Sequence, residues 1–173
     1  MSKLRPPVGA NDHAQGPPEA RITLVEYGDY ECPYCGEAYP IVKRVQKELG
    51  KNLRFVFRNF PLSESHPHAV RAAHAAEAAA LQGRFWEMHD TLYDNQQRLD
   101  EVQLRRYAEQ RGLDVKRFAL DLDSEAVAAR VKSDFLSGVR SGVNGTPSFF
   151  VGGARYDASW DHDALLSYLQ GLL

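Results

Sequence analysis

The chain has 173 residues, 43% of them hydrophobic and 25% charged, the balance of an ordinary folded protein with a sizeable core. Its 21 Lys and Arg against 23 Asp and Glu leave a net charge of −2, so no global positive field exists to draw nucleic acid or a membrane surface, and neither is expected as a partner. No apolar run nears the roughly eighteen residues of a membrane span, and two cysteines exclude a disulfide scaffold.

Residues 1–20 carry four prolines and two glycines between Arg5 and Pro18, which predicts an extended arm without regular structure. The arm has basic residues but no apolar stretch of the seven or so residues that a secretory leader needs. With Met1 as the natural start the expected location is the cytoplasm; if a cleaved leader has been replaced, it is the periplasm.

Ile22–Gly28 is short, β-rich and poor in polar positions, and predicts a mostly buried strand. Residues 35–49 place Tyr39, Val42, Val45 and Leu49 on one helical stripe that ends at Gly50, with Pro40 expected to kink it. Residues 53–60 read as a second strand, and strand–helix–strand within about forty residues implies parallel pairing through a right-handed crossover. From residue 66 to 141 the period is 3.6. An Ala-rich helix spans 68–81, and Phe85, Trp86, His89, Leu92 and Tyr93 line the next. Leu104, Tyr107 and Ala108 mark a third, Phe118, Leu120 and Leu122 a short fourth, and a helix capped by Ser124 runs to 141. Residues 147–151 form a strand, Gly152 and Gly153 a hairpin turn, 154–158 a returning strand, and 161–172 a closing helix. The order predicts an α/β sheet interrupted by an all-helical insertion: arm 1–20, sheet unit 21–65 and 142–173, insertion 66–141.

Cys32-Pro33-Tyr34-Cys35 falls between the first strand and the first helix. The opening turn of a helix has unpaired N–H groups and the positive end of the dipole, both of which stabilise a thiolate at Cys32. Pro33 suits the first helical position, where its missing N–H costs nothing. Cys35 lies one turn on, close enough to attack a mixed disulfide formed at Cys32. Three other readings compete: half of a zinc site, inert core cysteines, or a non-redox binding module. Zinc needs two more ligands, and the near candidates His66 and His68 stand at i,i+2, on different faces of a helix.

In Glu26-Tyr-Gly-Asp-Tyr-Glu-Cys-Pro-Tyr-Cys35, in Phe85-Trp-Glu-Met-His89 and in Gly145-Thr-Pro-Ser-Phe-Phe-Val151, the chain resembles the thioredoxin superfamily and specifically its DsbA-like branch. The resemblance covers about residues 22–172. It implies a thioredoxin fold, a central mixed sheet flanked by helices, with a helical insertion. By residue, it implies that Cys32 is an exposed nucleophile, that Cys35 resolves, and that Glu26 is a buried acid relaying a proton to Cys35. It also implies that Pro147 is a cis-proline facing the pair, and that Thr146, with Pro33 and Tyr34, borders the bound substrate. Pro-Tyr between the cysteines matches glutaredoxins and offers no imidazolium, which puts a strongly oxidising potential in doubt.

The expected activity is thiol–disulfide exchange with protein or small-molecule thiols and disulfides. A redox recycling partner is implied, and no metal or organic cofactor, since the dithiol holds the two electrons. A chaperone-like peptide-binding module and a glutathione-linked transferase are the alternatives. Cys35 argues against the transferase, because simple conjugation needs no resolving thiol. His74 and His89 read as packing or surface residues, and Phe85, Trp86 and Tyr93 as the core of the helical block.

Overall fold

The computed structural model describes residues 2–173. Three central strands carry apolar side chains on both faces: β2 (Ile22–Gly28), β3 (Leu53–Asn59) and β4 (Ser148–Val151). A strand buried on both sides must be covered on both sides, and the connections provide the cover. β2 pairs parallel with β3 through α1 (Pro33–Leu49), and antiparallel with β4, which continues through the turn at Gly152 and Gly153 into β5 (Ala154–Tyr156). The closing helix, His162–Gln170, lies against α1.

The arm departs from its expectation. His13–Gln15 forms a strand, β1, antiparallel to β3 at the sheet edge, so the order is β1-β3-β2-β4-β5. Leu4 is buried on the far face of the sheet. The prolines confine irregular backbone to the stretches around this strand, and β3, left with an open edge, supplies its ladder.

Five helices lie between β3 and β4: α2 (Ala69–Ala80), α3 (Phe85–Asp94), α4 (Glu101–Gln110), α5 (Val115–Leu122) and α6 (Glu125–Arg140); α7 (His162–Gln170) closes the chain. Asp100, Asp114 and Ser124 cap α4, α5 and α6 by accepting the backbone N–H three residues on. α2 packs against α3, α5 and α6 on a surface of buried alanines. α1 continues through Pro40, and its Val42, Val45 and Leu49 are buried as the stripe predicts. In α5, Phe118 and Leu122 are buried but Leu120 is 76% exposed, because i and i+4 share a face that i+2 does not.

The aromatic residues of α3 also differ from their expectation. They pack on the sheet as well as on one another: Phe85, His89 and Tyr93 contact Phe57 with ring centroids 6.3, 4.7 and 6.4 Å away, and Trp86 lies 5.8 Å from Phe55. Helices and sheet therefore share one core on this face, from Leu24 and Phe149 to Phe118 and Val127. The opposite face buries Val25, Tyr27, Val56, Phe60 and Phe150 beneath the arm and α6. There Arg58 is buried with its guanidinium on both carboxylate oxygens of Asp12 (2.8 and 3.0 Å), the Pro6 carbonyl (3.0 Å) and the Tyr27 hydroxyl (2.9 Å).

Candidate active site

The strand period determines which face Glu26 occupies. Ile22, Leu24 and Glu26 alternate with Val25 and Tyr27, so Glu26 enters the core shared with the helices. Its register neighbours are Phe57 on β3 and Phe149 on β4. Flanked in this way it is 2% exposed, and its Oε1 has no hydrogen-bond partner. Burial, with a smaller contribution from the charge on Cys32, pushes its pKa up from 4.5 to about 8.

Beyond β2 the chain turns through Asp29, and Cys32 becomes the N-cap of α1 with Pro33 at the first helical position. Cys32 is 3% exposed and Cys35 0%, and both thiols are free. The expectation of an openly exposed nucleophile is thus corrected: Cys32 lies under the loop that carries Thr146, with its Sγ 3.5 Å from the Thr146 carbonyl. The Thr146–Pro147 bond is cis. Pro33 and Tyr34 are exposed, Tyr34 by 62%, while Thr146 and Pro147 are half-buried. Pro33 and Tyr34 follow the covered sulfur in the chain, and the Thr146 carbonyl lies across it.

The two thiols diverge electrostatically. The hydrogen bond from the Cys35 thiol, helped by Thr146 and the backbone N–H groups of Cys35 and Tyr34, outweighs burial and brings Cys32 from 9.0 down to about 5. Cys35 moves the other way, held well above the usual thiol range by burial, by its bond to Cys32 and by the charge of Glu26. The surroundings thus favour the thiolate at Cys32 and the protonated thiol at Cys35.

Several residues that support this site were given no such role from the sequence. The Asp29 carboxylate accepts from the Glu31 N–H (2.8 Å), the Leu62 N–H (2.9 Å) and His66 Nδ1 (2.8 Å), tying the segment before Cys32 to the turn before α2. Gln96, after α3, donates to the carbonyls of Tyr30 and Cys32. The Tyr30 hydroxyl meets Nδ1 of His89 at 3.0 Å, and burial keeps that imidazole well below the usual histidine range. His89 is thus a packing residue, and half-buried His74 contacts the Leu122 carbonyl. His66 and His68 precede α2 rather than lying on a helix, and both turn toward the segment ahead of the cysteines, on Asp29 and Glu31. Among the described residues no group of three or more His, Cys, Asp or Glu is placed to hold a metal ion, and no helix is long and apolar enough to cross a membrane.

A five-stranded mixed sheet, a dithiol at the mouth of α1 and a cis-proline loop against it define a protein with a thioredoxin fold. Residues 9–171 match the thioredoxin family, and the chain belongs to it. A thioredoxin-like oxidoreductase from Silicibacter pomeroyi is 30% identical and superposes with a TM-score of 0.83, over 94% of this chain and 92% of that one. The likeness to the DsbA-like branch holds in the fold. BdbD from Bacillus subtilis gives a TM-score of 0.85 at 23% identity, covering 99% of this chain and 97% of its own. The alpha-DsbA1 of Wolbachia pipientis gives 0.82 at 18% identity, covering 95% of this chain and 92% of its own. Among curated relatives, the Na(+)/H(+) antiporter NhaA 1 of Salinispora arenicola is 47% identical over 154 residues, which is 89% of this chain but 24% of that protein. The chain spans about a quarter of the length of such relatives.

Proposed function

We propose that the chain is a thiol–disulfide oxidoreductase that exchanges disulfides with protein substrates through Cys32 and Cys35. The observation that carries this reading is the placement of the pair: Cys32 caps the N-terminus of α1 against the loop of the cis Thr146–Pro147 bond, with Cys35 buried one turn on, and the electrostatics that lower Cys32 and raise Cys35 agree with it.

In the reducing direction the Cys32 thiolate attacks one sulfur of a substrate disulfide. That S–S bond breaks, a Cys32–substrate disulfide forms, and the other substrate sulfur leaves as a thiolate that takes a proton from solvent. Cys35 then passes its proton to the Glu26 carboxylate and attacks Cys32 Sγ. The mixed disulfide breaks, the Cys32–Cys35 disulfide forms, and the second substrate thiolate departs with the remaining electron pair. A Glu26 pKa of about 8 keeps a general base within reach of neutral pH. Oxidation of a substrate is the same sequence reversed. Pro33, Tyr34, Thr146 and Pro147 would bear on the substrate backbone, and small-molecule thiols or a partner protein would return the pair to its working state.

The test is catalysed reduction of insulin by wild type, Cys32→Ser and Cys35→Ser. Loss of turnover in Cys32→Ser supports the reading. Peptide binding with no Cys32-dependent turnover would favour the non-catalytic module, and glutathione conjugation that survives loss of Cys35 would favour the transferase.

A further inference from the structure

The dipeptide between the cysteines is Pro-Tyr, so no cation comes from within the motif. The fold brings an imidazole to the segment ahead of the motif from elsewhere in the chain. Asp29 is buried, and its two ends serve two different partners. Its backbone carbonyl accepts the Cys32 N–H at 3.1 Å, and its carboxylate holds His66 Nδ1 at 2.8 Å. One residue therefore joins the imidazole to the peptide that carries the nucleophilic sulfur. With Nδ1 committed to Asp29, the ring orientation is set, and Nε2 makes no hydrogen bond among the described residues.

We infer that His66 is a positioning residue for the Cys32 thiolate, an imidazolium supplied by the turn ahead of α2 in place of one within the motif. The inference rests on the dithiol reading above and deepens it.

Burial opposes the charge on His66, but the hydrogen bond and charge of Asp29, then Cys32, then Glu31, outweigh it and raise its pKa above 6.5. Glu31 is itself engaged by His68 at 2.8 Å, and Glu64 in the same turn as His66 is exposed. The Asp29 carboxylate shares its charge among three N–H donors, which damps its repulsion of the thiolate. When His66 loses its proton, the cation is gone while the buried Asp29 charge remains.

Coupling between two charges is reciprocal, so the wild-type chain can report it without mutation. The experiment is an NMR titration of the His66 ring in the dithiol form and again after oxidation by glutathione disulfide. Forming the Cys32–Cys35 disulfide removes the thiolate, so the His66 pKa should fall by about one unit, the lower end for an opposite charge nearby. Equal His66 pKa values in the two forms would overturn the inference.

A second arm uses His66→Gln, which keeps an N–H donor for Asp29 but no charge. Its equilibrium with glutathione at pH 6 should shift up to tenfold toward the disulfide, about 30 mV more reducing, with wild type and variant converging as pH rises through the His66 pKa. His66→Lys should restore most of the shift. Unchanged equilibria in a folded His66→Gln would reduce His66 to a loop clasp. A chain that formed no Cys32–Cys35 disulfide would instead overturn the dithiol reading, a separate and visible failure.

Discussion

Gln96 Nε2 lies 2.8 Å from the Cys32 carbonyl and 2.9 Å from the Tyr30 carbonyl, so a single amide from beyond α3 holds the segment that presents the nucleophile. Its Oε1 occupies the space where a Cβ on Gly36 would come within 2.0 Å. Gly36→Ala would drive Gln96 from both carbonyls. Each of Gly36→Ala and Gln96→Ala should therefore destabilise by about 1–2 kcal/mol, while the double variant loses little more than either alone. Urea melts of the four proteins check this, and additive losses would mean that the two positions act independently.

Glu26→Gln should move stability and activity in opposite directions. The folded-state pKa of Glu26 is raised to about 8, so the carboxyl destabilises the fold increasingly as pH rises above its unfolded value and levels off beyond about 8. Removing the ionisable group should stabilise the chain at pH 7 by on the order of 2–3 kcal/mol. Insulin reduction should slow about a hundredfold where resolution by Cys35 limits the rate. Paired melts and rates at pH 7 measure both.

Asp12 and Arg58 fasten the N-terminal arm to β3. Burial alone would raise the Asp12 pKa, but the Arg58 hydrogen bond, the Gly9 N–H and the Arg58 charge hold it below 3.8. A depressed acid contributes stability that is present above its unfolded pKa and is lost as pH falls through the folded one. Asp12→Asn should cost about 3 kcal/mol near neutral pH, because it leaves the Arg58 charge buried and unpaired. The loss should begin to shrink below about pH 4 and fade as pH drops through the depressed folded pKa, where wild type becomes protonated as well. Melts across pH 3–7 follow the difference.

Alkylation should separate the two thiols. The rate of iodoacetamide labelling at Cys32 should rise with pH to a plateau around a midpoint of about 5, while Cys35 stays unlabelled through neutral pH. Mass spectrometry of the labelled peptides decides, and a Cys32 midpoint above 8 would remove the electrostatic basis of the proposed reaction.

Legibility in the sequence followed the range over which each signal acts. β2, α1 and β3 and the Ala-rich α2 have local periodicity, and the cysteine pair lies within one helical turn, so all were readable from neighbours. The strand in the arm was not, because His13–Gln15 is too short for a pattern and exists through its pairing with β3. Gln96 is 64 residues from Cys32 and His66 is 37 from Asp29, and no local pattern pairs them. The cover over Cys32 was likewise hidden, since it comes from the Thr146 loop across the whole insertion. Phe85, Trp86 and Tyr93 were recognisable as core, but which core depended on how the helices dock on the sheet.

The most direct test of the central claim is to incubate Cys35→Ser and Cys32→Ser with a disulfide-bonded peptide and weigh the products without reductant. Cys35→Ser should accumulate a covalent adduct of one peptide through Cys32, because the thiol that breaks the mixed disulfide is gone, and Cys32→Ser should form none. Adducts of equal yield on both variants, or none on either, would contradict a division of labour between the ionised Cys32 and the buried Cys35.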